Sequence, residues 1–117
     1  MSSAVPARRL WVACLCAAWC RTCDAYRPVL EQVAADAGTV RPRWIDVEDE
    51  ADLVGDCEVE TFPTIAVVDE AGVRFFGPLT PQPETLRRVL RAALAADAPA
   101  LAAPPEVLAF AARLRAG

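Results

Sequence analysis

Histidine is absent from all 117 residues of this chain. Its absence removes the side chain that most often serves as a general base near neutral pH and as a metal ligand. The Cys–His and Ser–His forms of nucleophilic catalysis go with it. A basic stripe is also absent: the net charge is −4, and Arg8-Arg9 and Arg87-Arg88 are too short to hold a phosphate backbone, so nucleic acid is not an expected partner. No apolar run is long enough to span a bilayer, so no membrane is expected, and no internal repeat is present. Charged residues make up only 24% of the chain against 55% hydrophobic, which excludes disorder and describes a globular protein. A chain of this length makes one domain that buries a core without relying on disulfides.

What the sequence does contain is cysteine, five in all. Two of them stand in Trp19-Cys20-Arg21-Thr22-Cys23, directly after an apolar run and directly before a helical pattern. A thiol at the first turn of a helix meets unpaired backbone N–H groups and the positive end of the macrodipole, which favours its thiolate. The second thiol, three residues on, is close enough to close a small disulfide with the first. Such a dithiol carries two electrons. The same spacing is also half of a zinc site. Arg8-Arg9 ahead of Leu10–Ala18 imitates a short signal peptide, but cleavage there would fall beside Trp19 and destroy the pair. A buried parallel strand explains the run better, and a cytoplasmic protein with mostly reduced cysteines is expected.

The rest of the chain alternates strands and helices. Residues 1–8 read as a lead-in, and Leu10–Ala17 as a strand. Ala25, Val29, Leu30, Val33, Ala34 and Ala37 mark a helix from Cys20 to Ala37, capped by Gly38, with Pro28 inside it where a kink is expected. Val40–Val47 reads as a strand and Ala51–Asp56 as a short helix. Thr64–Val68 and Val73–Phe76 are strands joined by the turn signal Asp69-Glu70-Ala71-Gly72. Pro63, immediately before a β-branched strand, can sit only at its entrance, where a cis bond is plausible. Thr80-Pro81 predicts the start of a helix with Leu86, Val89, Leu90, Ala93 and Leu94 on its apolar stripe. An Ala/Pro-rich linker, Asp97–Pro105, precedes a short amphipathic helix with Val107, Leu108, Ala111 and Leu114 on its stripe and Phe110 at the edge. The expected division is 1–96 for the main domain and 97–117 for linker and tail helix; the tail helix either caps the sheet of its own domain or docks a partner.

Trp-Cys-x-x-Cys at a helix start, Pro28 within that helix and Thr61-Phe62-Pro63-Thr64 some forty residues on together resemble the thioredoxin family, over roughly residues 10–95. The resemblance implies an α/β, thioredoxin-like fold: a mixed central sheet flanked by helices, shortened at the N-terminus and with an extra C-terminal helix. It implies a thiol–disulfide oxidoreductase in which Cys20 attacks a substrate disulfide and Cys23 resolves the mixed disulfide. The redox-active disulfide Cys20–Cys23 would serve in place of any cofactor, and no metal would be needed. Expected partners are disulfide-containing proteins or small thiols and a recycling reductase. Trp19 would pack beside the pair, and Arg21 and Thr22 would set its properties. Phe62 and Pro63 would form the facing loop that receives an extended substrate segment, and Gly77 falls where the family keeps a glycine beside the groove.

The departures matter as well. Thioredoxins have Gly-Pro where this chain has Arg21-Thr22, and the arginine implies a couple more oxidising than the roughly −270 mV of thioredoxin. The buried aspartate of the family is replaced by Cys14, and its lysine partner by Trp44, so resolution by Cys23 would be slow or rely on water; Glu60 is a weak substitute. Cys14 and Cys16 share one strand face and read as small buried apolar residues, with a reserve disulfide or a metal ligand as the alternative for Cys14. Cys57 resembles a regulatory cysteine of animal thioredoxins, but acidic Asp56 and Glu58 should raise its pKa. Two other readings stay open: a metal-binding module using Cys14, Cys16, Cys20 and Cys23, and a redox-inactive thioredoxin-like binding domain.

Overall fold

The computed structural model describes residues 9–17, 19–37, 40–57, 59, 61–80, 82–94 and 102–116. The expected lead-in at 1–8, the Gly38 cap, Glu58, Glu60, Pro81 and most of the linker, 95–101, lie outside the described residues. The elements run β1 (Leu10–Cys16), α1 (Arg21–Ala37), β2 (Val40–Asp46), α2 (Ala51–Val54), β3 (Thr64–Asp69), β4 (Gly72–Pro78), α3 (Pro83–Leu94) and α4 (Pro105–Ala116). They form one mixed sheet in the order β2-β1-β3-β4. β1 pairs parallel with β2, which requires the crossover that α1 supplies, and antiparallel with β3.

β1 is central and covered on both faces, which is why it reads as a continuous apolar run rather than an alternation. Its residues still divide by a period of two. Leu10, Val12, Cys14 and Cys16 enter the core shared with α1 and α3, while Ala13 and Leu15 enter the core under α2 and α4. The β3–β4 turn is built by Asp69, whose Oδ1 accepts the N–H groups of Ala71 and Gly72 at 2.8 and 3.0 Å. Gly72 has φ 150° there, a conformation that L side chains rarely adopt. Oδ2 of Asp69 accepts Arg74 Nε at 2.7 Å in a buried ion pair.

Three expectations are corrected. The helix predicted from Thr80 starts at Pro83: a proline disfavours helical backbone in the residue before it, so Gln82 stays outside and its carbonyl accepts the N–H groups of Thr85 and Leu86 at 3.1 and 3.4 Å. Phe110 is not at the edge of the tail helix but fully buried beside Val107, Ala111 and Leu114. The side chain of Leu108, counted on the apolar stripe, is instead exposed. α4 lies against the sheet face opposite α1. Arg113 there donates to the carbonyls of Leu53 and Val54 at 2.7 and 3.1 Å, ending α2, and Arg115 donates to the carbonyl of Asp69 at 3.3 Å. Among the described residues no helix is long and apolar enough to cross a membrane.

Candidate redox site

The site lies where the C-terminal end of β1 turns into α1. The Cys20 N–H donates to the carbonyl of Ala17 at 2.9 Å, closing the turn, and the Cys20 carbonyl accepts the Asp24 N–H at 3.3 Å, opening the helix. Cys20 is a half-buried free thiol just ahead of the N-terminus of α1. Helix geometry then carries Cys23 inward, fully buried, onto the face of β1 that presents Cys14 and Cys16. Pro28, further along α1, has no N–H for the carbonyl of Asp24.

Cys23 is bonded to Cys16, with their Cα atoms 5.9 Å apart. The expected Cys20–Cys23 pairing is therefore not the one formed, and Cys16 is not a plain apolar residue. The reason is directional. Cys23 points into the core toward the strand, and Cys16 is the last residue of that strand on that face. Cys14, two residues back, brings its Sγ to 3.3 Å from that of Cys16. Four of the five cysteines thus meet around one helix start. The signal that could have found this is the shared strand face of Cys14 and Cys16, read together with the inward face of the first helical turn.

The surroundings of these sulfurs hold protons rather than accept them. Burial, aided by the nearby Cys20, pushes the Cys14 thiol up to about 12. The Tyr26 hydroxyl, one turn beyond Cys23, is buried with no hydrogen-bond partner among the described residues, and burial followed by Cys14 pushes its pKa above the usual tyrosine range. Trp44 stands opposite Cys14 in the β1–β2 register, with Arg27 stacked 5.4 Å from its ring centroid. Asp69, the buried carboxylate among the described residues, lies at the far end of β3, held by Arg74.

Thr22, two residues past Cys20, lines a groove of about 350 Å³ together with Thr61, Phe62, Pro63, Pro78, Leu79 and Thr80. The Phe62–Pro63 peptide bond is cis, and the Thr64 hydroxyl donates to the Thr61 carbonyl at 2.5 Å beneath the loop. Trp19 does not cover the sulfurs as expected. It is 69% exposed and meets Phe62 edge-on, with ring centroids 5.6 Å apart. Arg21 is exposed at the first position of α1. Gly77 pairs with Ile65 inside the sheet and does not line the groove; a Cβ there would make an ordinary contact with the Phe75 ring at 3.5 Å. Cys57 is buried under α4, and its thiol is pushed up first by burial and then by Glu106, against an opposing pull from Arg113. Of the two sequence neighbours expected to raise it, Asp56 is exposed and is not among these causes, and Glu58 lies outside the described residues. Among the described residues no three of Cys, Asp or Glu are arranged to hold a metal ion.

The thioredoxin family model matches residues 2–80. The chain belongs to the thioredoxin family. Among solved structures, thioredoxin from Trypanosoma brucei brucei is 25% identical and aligns over 75% of this chain and 77% of its own, with a TM-score of 0.64. Oxidised mitochondrial thioredoxin 3 from Saccharomyces cerevisiae is 23% identical over 72% of this chain and 78% of its own, TM-score 0.62. Fasciola hepatica thioredoxin is 22% identical over 72% and 81%, TM-score 0.63. No protein of curated function matches the sequence significantly. This family member thus shares the fold of the thioredoxins, with Cys14, Cys16, Cys20 and Cys23 gathered at the head of α1.

Proposed function

We propose that this thioredoxin-family protein is a thiol–disulfide oxidoreductase that uses Cys20 and Cys23 to reduce protein or small-molecule disulfides. The observation that carries the reading is the half-exposed free thiol of Cys20 at the head of α1, one turn before the buried Cys23 and two residues before Thr22, which lines a groove with Phe62 and Pro63. In this arrangement Cys20 attacks one sulfur of a substrate disulfide, and a substrate thiolate leaves. Cys23 then attacks Cys20 Sγ, the second substrate thiol leaves, and the protein retains the disulfide. Exposed Trp19, edge-on to the half-buried Phe62, offers an apolar platform for the substrate segment. A recycling reductase returns the electrons.

The test is dithiothreitol-driven reduction of insulin disulfides, followed by turbidity. The native protein should accelerate the reaction over dithiothreitol alone, and Cys20→Ser should return it to background. A native protein no faster than dithiothreitol alone would overturn the assignment.

A further inference from the structure

We infer that Cys16 is a third redox cysteine, and that Cys23 is a shared sulfur bonding either to Cys20 at the surface or to Cys16 in the core. This deepens the proposed oxidoreductase function and, in the catalytic cycle, rests on it. Two independent observations support it. Cys23 is bonded to Cys16, with Cα atoms 5.9 Å apart, while Cys20 carries a free thiol. Both positions are set by regular structure: Cys16 is the last residue of β1 on the α1 face, and Cys23 is in the first turn of α1 with its side chain fully buried on that same face. The pairing needs no mobile segment and no partner chain.

The exchange step balances without an outside oxidant. A substrate disulfide has already left Cys20 and Cys23 joined. Cys16 Sγ attacks Cys23 Sγ, the Cys16–Cys23 bond forms, the Cys20–Cys23 bond breaks, and Cys20 Sγ leaves with the electron pair. The proton given up by Cys16 is taken by the released Cys20. The number of disulfides is unchanged, so the step is an isomerisation. Its direction follows from charge placement. A thiolate on Cys16, with 1% exposure, would be a charge in the core, whereas the thiolate released on Cys20 is half in water. The exchange therefore moves the disulfide inward and the free thiol outward. In the resulting form Cys20 is again a thiol but has lost its resolving partner, so the protein rests oxidised with its bond shielded from solvent. Cys14, 3.3 Å from Cys16 Sγ, is the neighbour most able to compete, and burial keeps it a neutral thiol.

The experiment uses the full chain with Cys20→Ser, an exchange at a half-exposed position that leaves the core intact. Of the five cysteines four remain. The protein is treated with oxidised dithiothreitol, quenched in acid, unfolded, alkylated and weighed. The inferred bridge predicts that two of the four thiols escape alkylation, and that adding Cys16→Ala restores labelling of all that remain. Four labels in Cys20→Ser overturn the inference. So does a bridge that survives Cys16→Ala, because Cys14 would then be the partner. In the native protein, fragmentation of the tryptic peptides should place the alkyl label on Cys20 and the bridge at Cys16; the reverse assignment overturns the inward direction. None of these readouts depends on insulin turnover, so loss of the oxidoreductase reading and loss of the Cys16 bridge are separate results.

Discussion

On the α1 face of the sheet, Cys14, Cys16, Cys20 and Cys23 gather at one helix start; on the α4 face, Cys57 sits alone among Val54, Phe110 and Leu114. Burial acts on both faces alike, since Cys14 and Cys57 are each shielded from water and each hold their proton more tightly than a free thiol. Burial therefore does not distinguish a redox cysteine from an inert one. What differs is company. On the first face a helix N-terminus and a strand end bring sulfur to sulfur, and one thiol of the group reaches the surface. On the second face a lone thiol meets hydrocarbon and the ends of Arg113 and Glu106.

The sharpest way to break this comparison is to remove one sulfur from each face. Cys23→Ser should bring insulin reduction down to the dithiothreitol background, because the mixed disulfide on Cys20 loses its intramolecular resolving thiol. Cys57→Ala should leave the rate within about twofold, as a buried thiol with no sulfur neighbour has no part in the exchange. A large loss of turnover in Cys57→Ala, with folding intact by circular dichroism, would abolish the distinction between the faces.

The next effect is on stability and falls on the α4 side. Asp69 accepts two backbone N–H groups and the Arg74 side chain, while its own carbonyl receives Arg115 of α4. Asp69→Ala removes the carboxylate that pairs with the buried Arg74 guanidinium and accepts the two turn N–H groups, a loss worth about 3–5 kcal/mol. Urea unfolding of the two proteins should show it as a lower midpoint at unchanged slope. A cost under about 1 kcal/mol would mean that Arg74 reaches water in the variant.

Alkali tests both faces together. Cys14, Tyr26 and Cys57 all have raised pKa values in the folded protein. An acid whose folded pKa is raised binds its proton more tightly when folded. Its contribution is complete below the unfolded pKa and is lost as pH climbs through the folded one. For Cys14 that window runs from 9.0 to about 12. The urea midpoint of the reduced protein should hold steady up to about pH 9 and fall beyond it. Cys14→Ala should flatten more of that fall than Cys57→Ala does. A midpoint constant into strong alkali would contradict the buried placement of all three groups.

Much of the α1 face was legible in the sequence. The shared strand face of Cys14 and Cys16, the helical spacing of Val29, Leu30, Val33 and Ala34 and the turn signal at Asp69–Gly72 each rest on local chemistry, and the family resemblance pointed to Cys20, Cys23 and Pro63; Ala25, counted on the stripe, is exposed, and Tyr26 beside it is the buried residue. The Cys16 bond was not legible. Which strand residue meets which helical residue depends on how far β1 runs before the chain turns at Ala17, and a pattern of apolar residues does not carry that length. Trp19 was misread for a related reason: its role was taken from the family, while its direction is set by the turn that ends in the Cys20 N–H bond to Ala17. The start of α3 was misplaced because Thr80-Pro81 and Gln82-Pro83 both offer a proline for a first turn, and only the effect of Pro83 on Gln82 separates them.

The smallest effect concerns a polar group that the α1 face leaves unsatisfied. The Tyr26 hydroxyl is buried among apolar side chains with no hydrogen-bond partner among the described residues, and a buried donor left unpaired costs about 1–3 kcal/mol. Tyr26→Phe removes that cost and keeps the ring that fills the core beside Cys14 and Cys23. Part of the gain is lost to the small void left by the oxygen, so the variant should be more stable by about 1 kcal/mol in urea. The same substitution on a satisfied tyrosine would destabilise by a similar amount, so the sign alone decides. A less stable variant would show that the hydroxyl does have a partner in solution. The α1 face would then hold a polar network around its sulfurs, and its contrast with the hydrocarbon around Cys57 would lie in hydrogen bonding as well as in sulfur neighbours.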